Sequence, residues 1–222
     1  MSKRRYRKRR KKKTSNFGCL IFILIVGVLL FAGGMKIFDR IYTYDSYTQQ
    51  NVLKKHRKFI NALLPAANDV QRRYNILVSI SLAQAILESN WGTSQLSSQY
   101  NNLYGVKASG NQPSVNLSTQ EFVNGQFITI TGRFRVYNSW SESVESHALL
   151  LVNGTDWNPN QYKDVIDSDN YVAAAKGLQV DGYATDPTYR NKIIEIIRKY
   201  KLYQYDKQTT TTGGTSNETT GR

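Results

Sequence analysis

The stretch Gln84 to Ser94, QAILESNWGTS, and the residues just before it constrain the fold most. Ile80, Leu82, Ala83, Ala85, Ile86 and Leu87 put apolar groups on nearly every side of a helix, the pattern of a helix enclosed by its own domain. The rest of the domain must therefore be built around it. Only Ser81, Gln84 and Glu88 break the pattern. Three and four residues apart, they fall on one line of the helix, and that line needs a polar partner, water or a cleft. Trp91 and Gly92 follow, with Gly92 the expected helix stop. Glu88, in the last turn, feels the negative end of the helix dipole, and an apolar wall would also desolvate it. Both effects favour its protonated form, which a general acid working near neutral pH requires.

A chain of 222 residues suffices for one ordinary domain with appendages. Its net charge of +14 raises a nucleic-acid partner, but ten Lys and Arg crowd between Lys3 and Lys13 without an acid, leaving about +4 elsewhere. The charge belongs to a tail, so no nucleic acid is expected. Cys19 is the single cysteine, which excludes an intrachain disulfide. With only His56 and His147 besides, neither a metal nor another cofactor is expected.

Phe17 to Met35 carries no charge over 19 residues. At about 1.5 Å per residue it reaches about 28 Å, close to the hydrocarbon thickness of a bilayer. It reads as a transmembrane helix rather than a cleaved signal, with the basic flank holding the N-terminus in the cytoplasm and the remainder outside. The expected order is a basic cytoplasmic tail (1–16), a membrane helix (17–35), a juxtamembrane linker (36–51), one folded domain (52–206) and a disordered tail (207–222).

Within the domain, Val52, Phe59, Ile60, Leu63 and Leu64 mark a first helix, and Pro65 suits the first turn of a second carrying Ala66, Val70 and Tyr74. Beyond Gly92, Leu117–Val123 and Gln126–Ile130 alternate around Asn124-Gly125, a strong hairpin signal. A two-residue turn there pairs Phe122 with Phe127 and Glu121 with Ile128, and Arg133–Tyr137 reads as a third strand. Helices then resume: Ser139 to Glu142 fits a capping box before Val144, His147, Ala148 and Leu151. Ser168 or Asp169 suits the cap of Tyr171–Lys176, with Gly177 as the stop, and Asp186-Pro187 opens a last helix through Ile193, Ile197 and Tyr200. Helices, a small sheet and helices again make an α+β domain.

Two carboxylates stand out by position, Glu88 ending the buried helix and Glu121 on a hairpin face. Paired carboxylates on separate elements are the usual equipment for cleaving a glycosidic bond. The blocks AQAILESNWGTSQLS, NNLYGVKAS, TQEFVNG, FRVYNSW and DGYATDPTYRNKI occur in an order that resembles the bacterial peptidoglycan N-acetylglucosaminidases of glycoside hydrolase family 73, over roughly Phe59 to Tyr200. The resemblance implies a lysozyme-like fold, a helical lobe and a β-hairpin lobe flanking a groove for the peptidoglycan glycan strand. It implies Glu88 as general acid, Glu121 as the second catalytic carboxylate, and Tyr183 as a hydroxyl orienting the substrate's acetamido group or the water. It also implies Tyr104 as a sugar-stacking platform, and Gln84 and Trp91 are candidates for the same groove. Trp140 reads as core and His147 as a hydrogen-bonded packing residue. The implied activity is cleavage of the β-1,4 bond after N-acetylglucosamine. A lytic transglycosylase or muramidase, or a noncatalytic wall-binding module, stands as the alternative.

Overall fold

The computed structural model describes residues 47–123 and 126–206. The expected basic tail, membrane helix and C-terminal tail, most of the linker, and the turn pair Asn124-Gly125 lie outside these residues. Among the described residues no helix is long and apolar enough to cross a membrane. The chain divides into two units, Met1–Lys54 and Lys55–Arg222. In the first, the described residues 47–54 are helical.

The second unit opens on helix α1 (55–74), which is unbroken at Pro65, contrary to the sequence expectation. Pro65, and Asn61 whose carbonyl loses its amide partner, are exposed, while Phe59, Ile60, Leu63, Ala67 and Val70 are buried on both sides of the proline. Water can take the orphaned carbonyl, and the packed face outweighs the lost hydrogen bond.

Helix α2 (Val78–Ser89) is the enclosed helix, with Val78, Ile80, Leu82, Ala83, Ala85 and Ile86 all buried. Leu77 at its start supplies no side-chain cap. The free amides are met from elsewhere: Gln71 Oε1 accepts from the Val78 N–H at 2.8 Å, and Asp206 accepts from the Ser79 N–H at 2.8 Å and the Ser79 hydroxyl at 2.7 Å. The helix stops at Asn90, in the left-handed region at φ 48°, rather than at Gly92. Asn90, Trp91 and Gly92 are three consecutive left-handed residues that turn the chain sharply. Glycine is needed at 92 for space as well, since a Cβ there would lie 2.8 Å from the rings of Phe59 and Trp140.

Helix α3 (Gln95–Tyr100) leads to an antiparallel pair, β1 (Ser114–Val123) and β2 (Gln126–Arg135). Its register joins Phe122 to Phe127 and Glu121 to Ile128, as the Asn-Gly turn predicts. Among the described residues, Arg133–Tyr137 form no separate third strand. Thr131 and Gly132 stay paired with Ser118 and Leu117, so Arg133–Arg135 simply prolong β2. At the hairpin base Arg133 donates to the Ser114 hydroxyl and to the Gly110 and Gln112 carbonyls, and Arg135 donates to Ser146.

Helix α4 (Trp140–Asn153) has the predicted cap: Ser139 Oγ accepts from the Glu142 N–H at 3.2 Å. The Glu142 carboxylate reaches back to the Asn138 N–H at 2.8 Å. After the short α5 (Lys163–Ile166), helix α6 (Tyr171–Val180) is capped by Asn170, not by Ser168 or Asp169, and passes through Gly177 instead of stopping there. A Cβ at 177 would lie 2.9 Å from the Val165 amide, so this glycine serves the close approach of α5. Helix α7 (Tyr189–Lys199) begins two residues past Pro187. Asp186 braces that approach by accepting from the Thr188 N–H and hydroxyl, each at 2.7 Å. A 3-10 turn, Leu202–Tyr205, closes the described chain. One core joins α1, α2, α4, α6 and α7, with Leu63, Ile80, Leu151, Leu178, Ile193 and Ile197 among its fully buried side chains. The result is a helix-rich α+β fold with a two-stranded sheet.

Candidate active site

The enclosed helix presents its polar line to α7. Gln84, fully buried, donates through Nε2 to the Tyr189 hydroxyl at 3.2 Å. Tyr189 in turn donates to Glu88 Oε1 at 2.8 Å. The partner that the sequence required for this line is therefore a tyrosine 101 residues further along the chain. Sequence reasoning passed over Tyr189. Its signal was its place in the DGYATDPTYRNKI block, at the first turn of a helix whose Ile193 and Ile197 share its buried face.

Glu88 itself is open to solvent at the mouth of this arrangement but is ringed by protein. Desolvation by that surround raises its carboxyl above the ordinary range, against the opposing pull of the Tyr189 hydrogen bond and the Lys192 charge. Lys192 is tethered to Asp186 Oδ2 at 2.6 Å. Lys192 and the Thr188 donors hold the Asp186 carboxyl down at about 2.

Tyr183, in the loop between α6 and α7, is half-buried with its ring tilted against Tyr189, centroids 5.6 Å apart. Its hydroxyl lies 3.0 Å from His147 Nε2. Burial pushes the Tyr183 hydroxyl well above its usual range, and the charge of Glu88 adds to the rise. Burial holds His147 neutral, at about 3. As its helical stripe suggested, it is a packing residue with a hydrogen bond, stacked on Tyr104 at 3.9 Å.

Two of the remaining sequence candidates, Tyr104 and Gln84, stand elsewhere than expected. Tyr104 is 6% exposed, one ring face covered by His147 and its hydroxyl donating to the Ser81 carbonyl at 3.2 Å. It has no free face for a sugar; the apolar Leu103 beside it draws the whole segment into the core. Gln84 is likewise too deep to touch a glycan, and it acts on Tyr189 instead. Trp91 stacks on His56 at 3.6 Å, meets Tyr200 edge-on at 4.7 Å, and lines a cavity of about 370 Å³ with Leu87, Asn90 and Lys192 beside the Glu88 turn. Trp140 packs edge-on against Phe59 and donates to the Ser97 carbonyl at 3.1 Å, in keeping with a core role. A larger cavity of about 630 Å³, between the end of α1 and Ile166, contains none of the candidate residues. Glu121 stands on β1 opposite Ile128. Among the described residues no cluster of His, Cys, Asp and Glu is arranged to hold a metal ion.

A buried hydrogen-bonded chain that ends on a solvent-exposed carboxyl holding its proton more tightly than usual is suited to proton donation. Comparison with known proteins points the same way. Residues 64–202 match the glucosaminidase family, described as mannosyl-glycoprotein endo-beta-N-acetylglucosaminidase. The chain is 38% identical to the exo-glucosaminidase LytG of Bacillus subtilis (strain 168) over 200 residues, covering 90% of this chain and 70% of that protein. It is 34% identical to a probable N-acetylmuramidase of Lactococcus lactis over 86% of this chain, but spans only 44% of that relative. Among solved structures, the catalytic domain of the autolysin Auto from Listeria monocytogenes superposes with a TM-score of 0.63 at 35% identity, covering 72% of this chain and 97% of that one.

Proposed function

This chain belongs to the glucosaminidase family and is a glycoside hydrolase of peptidoglycan, and from that premise we propose that it cleaves the β-1,4 bond after N-acetylglucosamine by general-acid catalysis from Glu88. The observation that carries the reading is the solvent-exposed Glu88 carboxyl, hydrogen-bonded by Tyr189 at 2.8 Å at the end of the hydrogen-bonded chain from Gln84 through Tyr189 and raised by desolvation. A carboxyl in that state keeps its proton closer to neutral pH than a solvated glutamate does.

In the proposed reaction Glu88 gives its proton to the glycosidic oxygen as the bond from that oxygen to the anomeric carbon breaks. The positive charge developing on the sugar ring is met by Glu121 or by the substrate's own acetamido oxygen, and water adds its hydroxyl to the anomeric carbon while its remaining proton passes to the Glu88 carboxylate, restoring the acid. Tyr183, beside Tyr189 and within reach of the Glu88 charge, orients the acetamido group or that water. The glycan strand runs in the groove between the helical lobe and the hairpin. The charge and hydropathy of residues 1–35 support a membrane-anchored protein with this domain outside the cell.

A muramidase is the second reading, favoured by the name of the lactococcal relative. Mass spectrometry of borohydride-reduced digests separates the two. Reduced N-acetylglucosamine ends are expected; reduced or anhydro muramic acid ends would overturn the bond assignment. Fragment lengths over the time course distinguish the expected internal cleavage from stepwise release at chain ends.

A further inference from the structure

A carboxylic acid that donates to a leaving oxygen must carry its proton on the oxygen that faces the substrate. In this site the two oxygens of Glu88 are not equivalent. Oε1 accepts from Tyr189 at 2.8 Å, whereas Oε2 takes no hydrogen bond from the described residues. The Tyr189 hydroxyl has one proton to give, and Gln84 decides where it goes. By donating Nε2 to the Tyr189 oxygen at 3.2 Å, the buried amide occupies an acceptor position and leaves the hydroxyl proton for Glu88. The Gln84 carbonyl oxygen, buried without a partner in this arrangement, is the cost of that orientation.

We infer that Tyr189, oriented by Gln84, is a positioning residue that confines the transferable proton of Glu88 to Oε2. An oxygen already accepting a hydrogen bond is the less basic of the pair, so the proton settles on the other. The inference rests on Glu88 being the general acid and adds which of its atoms does the work and what directs it.

The groups around Glu88 make this measurable. From α7 it faces Tyr189 and Lys192, the latter paired with Asp186, and from the loop before α7 it faces Tyr183, backed by His147 of α4. Burial raises both tyrosines, His147 is held at about 3 and Asp186 at about 2. Near neutral pH the loss of activity with rising pH therefore reports Glu88. Glu121, acting as a base, sets the opposite limb.

The test is the pH profile of kcat/KM for three variants of the full chain on solubilised glycan strands. Removing the hydroxyl in Tyr189→Phe removes a bond that lowers the Glu88 pKa. The basic limb should move up by about one pH unit, while kcat at the optimum falls about tenfold with KM little changed. Gln84→Met, of similar volume and without a donor, should move the limb the same way by less, and carries the test if Tyr189→Phe does not fold. A uniform loss of activity with the limb unmoved, alongside an inactive Glu88→Gln, would overturn the inference and leave the acid assignment standing. An active Glu88→Gln would overturn both.

Discussion

The helix that ends in Glu88 and the hairpin that carries Glu121 are built on opposite plans. Helix α2 is buried along most of its length, its first amides are met by Gln71 and Asp206, and its acid is held by Tyr189. The hairpin strands pair mainly with each other. Phe134 at the base is 7% exposed, whereas Ile128 near the tip is 41% exposed. A two-stranded ribbon gains little independent stability, so it follows its base and its neighbours. Glu88 is thus held by a core, whereas Glu121 stands on a ribbon whose strands pair mainly with each other. In the proposed reaction a proton donor at Glu88 draws on the first kind of support, and a hairpin that admits and releases a glycan strand is served by the second.

Replacing Glu88 by Gln should lower turnover about 10²- to 10⁴-fold, the span expected for a single acid or base, and is the strongest test of the contrast. The same variant tests the energetics. Folding raises this carboxyl above its ordinary 4.5, so it favours the protonated form. The stability it contributes is fully present below about pH 4.5 and lost as pH rises through the folded value. Glu88→Gln should therefore melt at or above the parent temperature at neutral pH, with the gain gone near pH 4. A lower melting temperature at neutral pH would contradict the desolvation argument.

Leu63, 1% exposed on α1, probes the lobe that holds the acid. Its replacement by Ala should cost about 2–5 kcal/mol in chemical denaturation. Glu121→Gln should reduce turnover by about tenfold, less than a full acid or base contributes, because the acetamido group can share its task; unchanged steady-state turnover would take Glu121 out of the mechanism. The smallest effect is expected at the exposed tip, where Ile128→Thr should stay within about 0.5 kcal/mol of parent stability. A loss as large as that of Leu63→Ala would mean that the hairpin packs as tightly as the helices do.

The features read correctly from sequence are those decided by neighbours in the chain. The apolar periodicity of α2, the Asn-Gly register and the Ser139 to Glu142 cap all depend on residues within a few positions of one another. The failures have a common cause in distant contacts. Pro65 and Gly177 look like breaks until the packed face of α1 and the nearby backbone of α5 are known. Tyr104 looks like a platform until His147 covers it. For the candidate site, the place of Glu88 at the end of α2 and its tendency to hold a proton were legible from α2 alone, whereas Tyr189, which hydrogen-bonds it, was not, because 101 residues separate the two.

The clasp between Asp206 and Ser79 spans 127 residues, and the bond from Tyr189 to Glu88 spans 101. Both run from late parts of the chain to an early helix. During synthesis, then, Glu88 is made well before the groups that hold it, and helix α2 waits for the last turn of the domain to receive its cap. Completion of the candidate site is deferred until Tyr189 and then Asp206 have been made, and a chain interrupted before Tyr189 would carry Glu88 without its support.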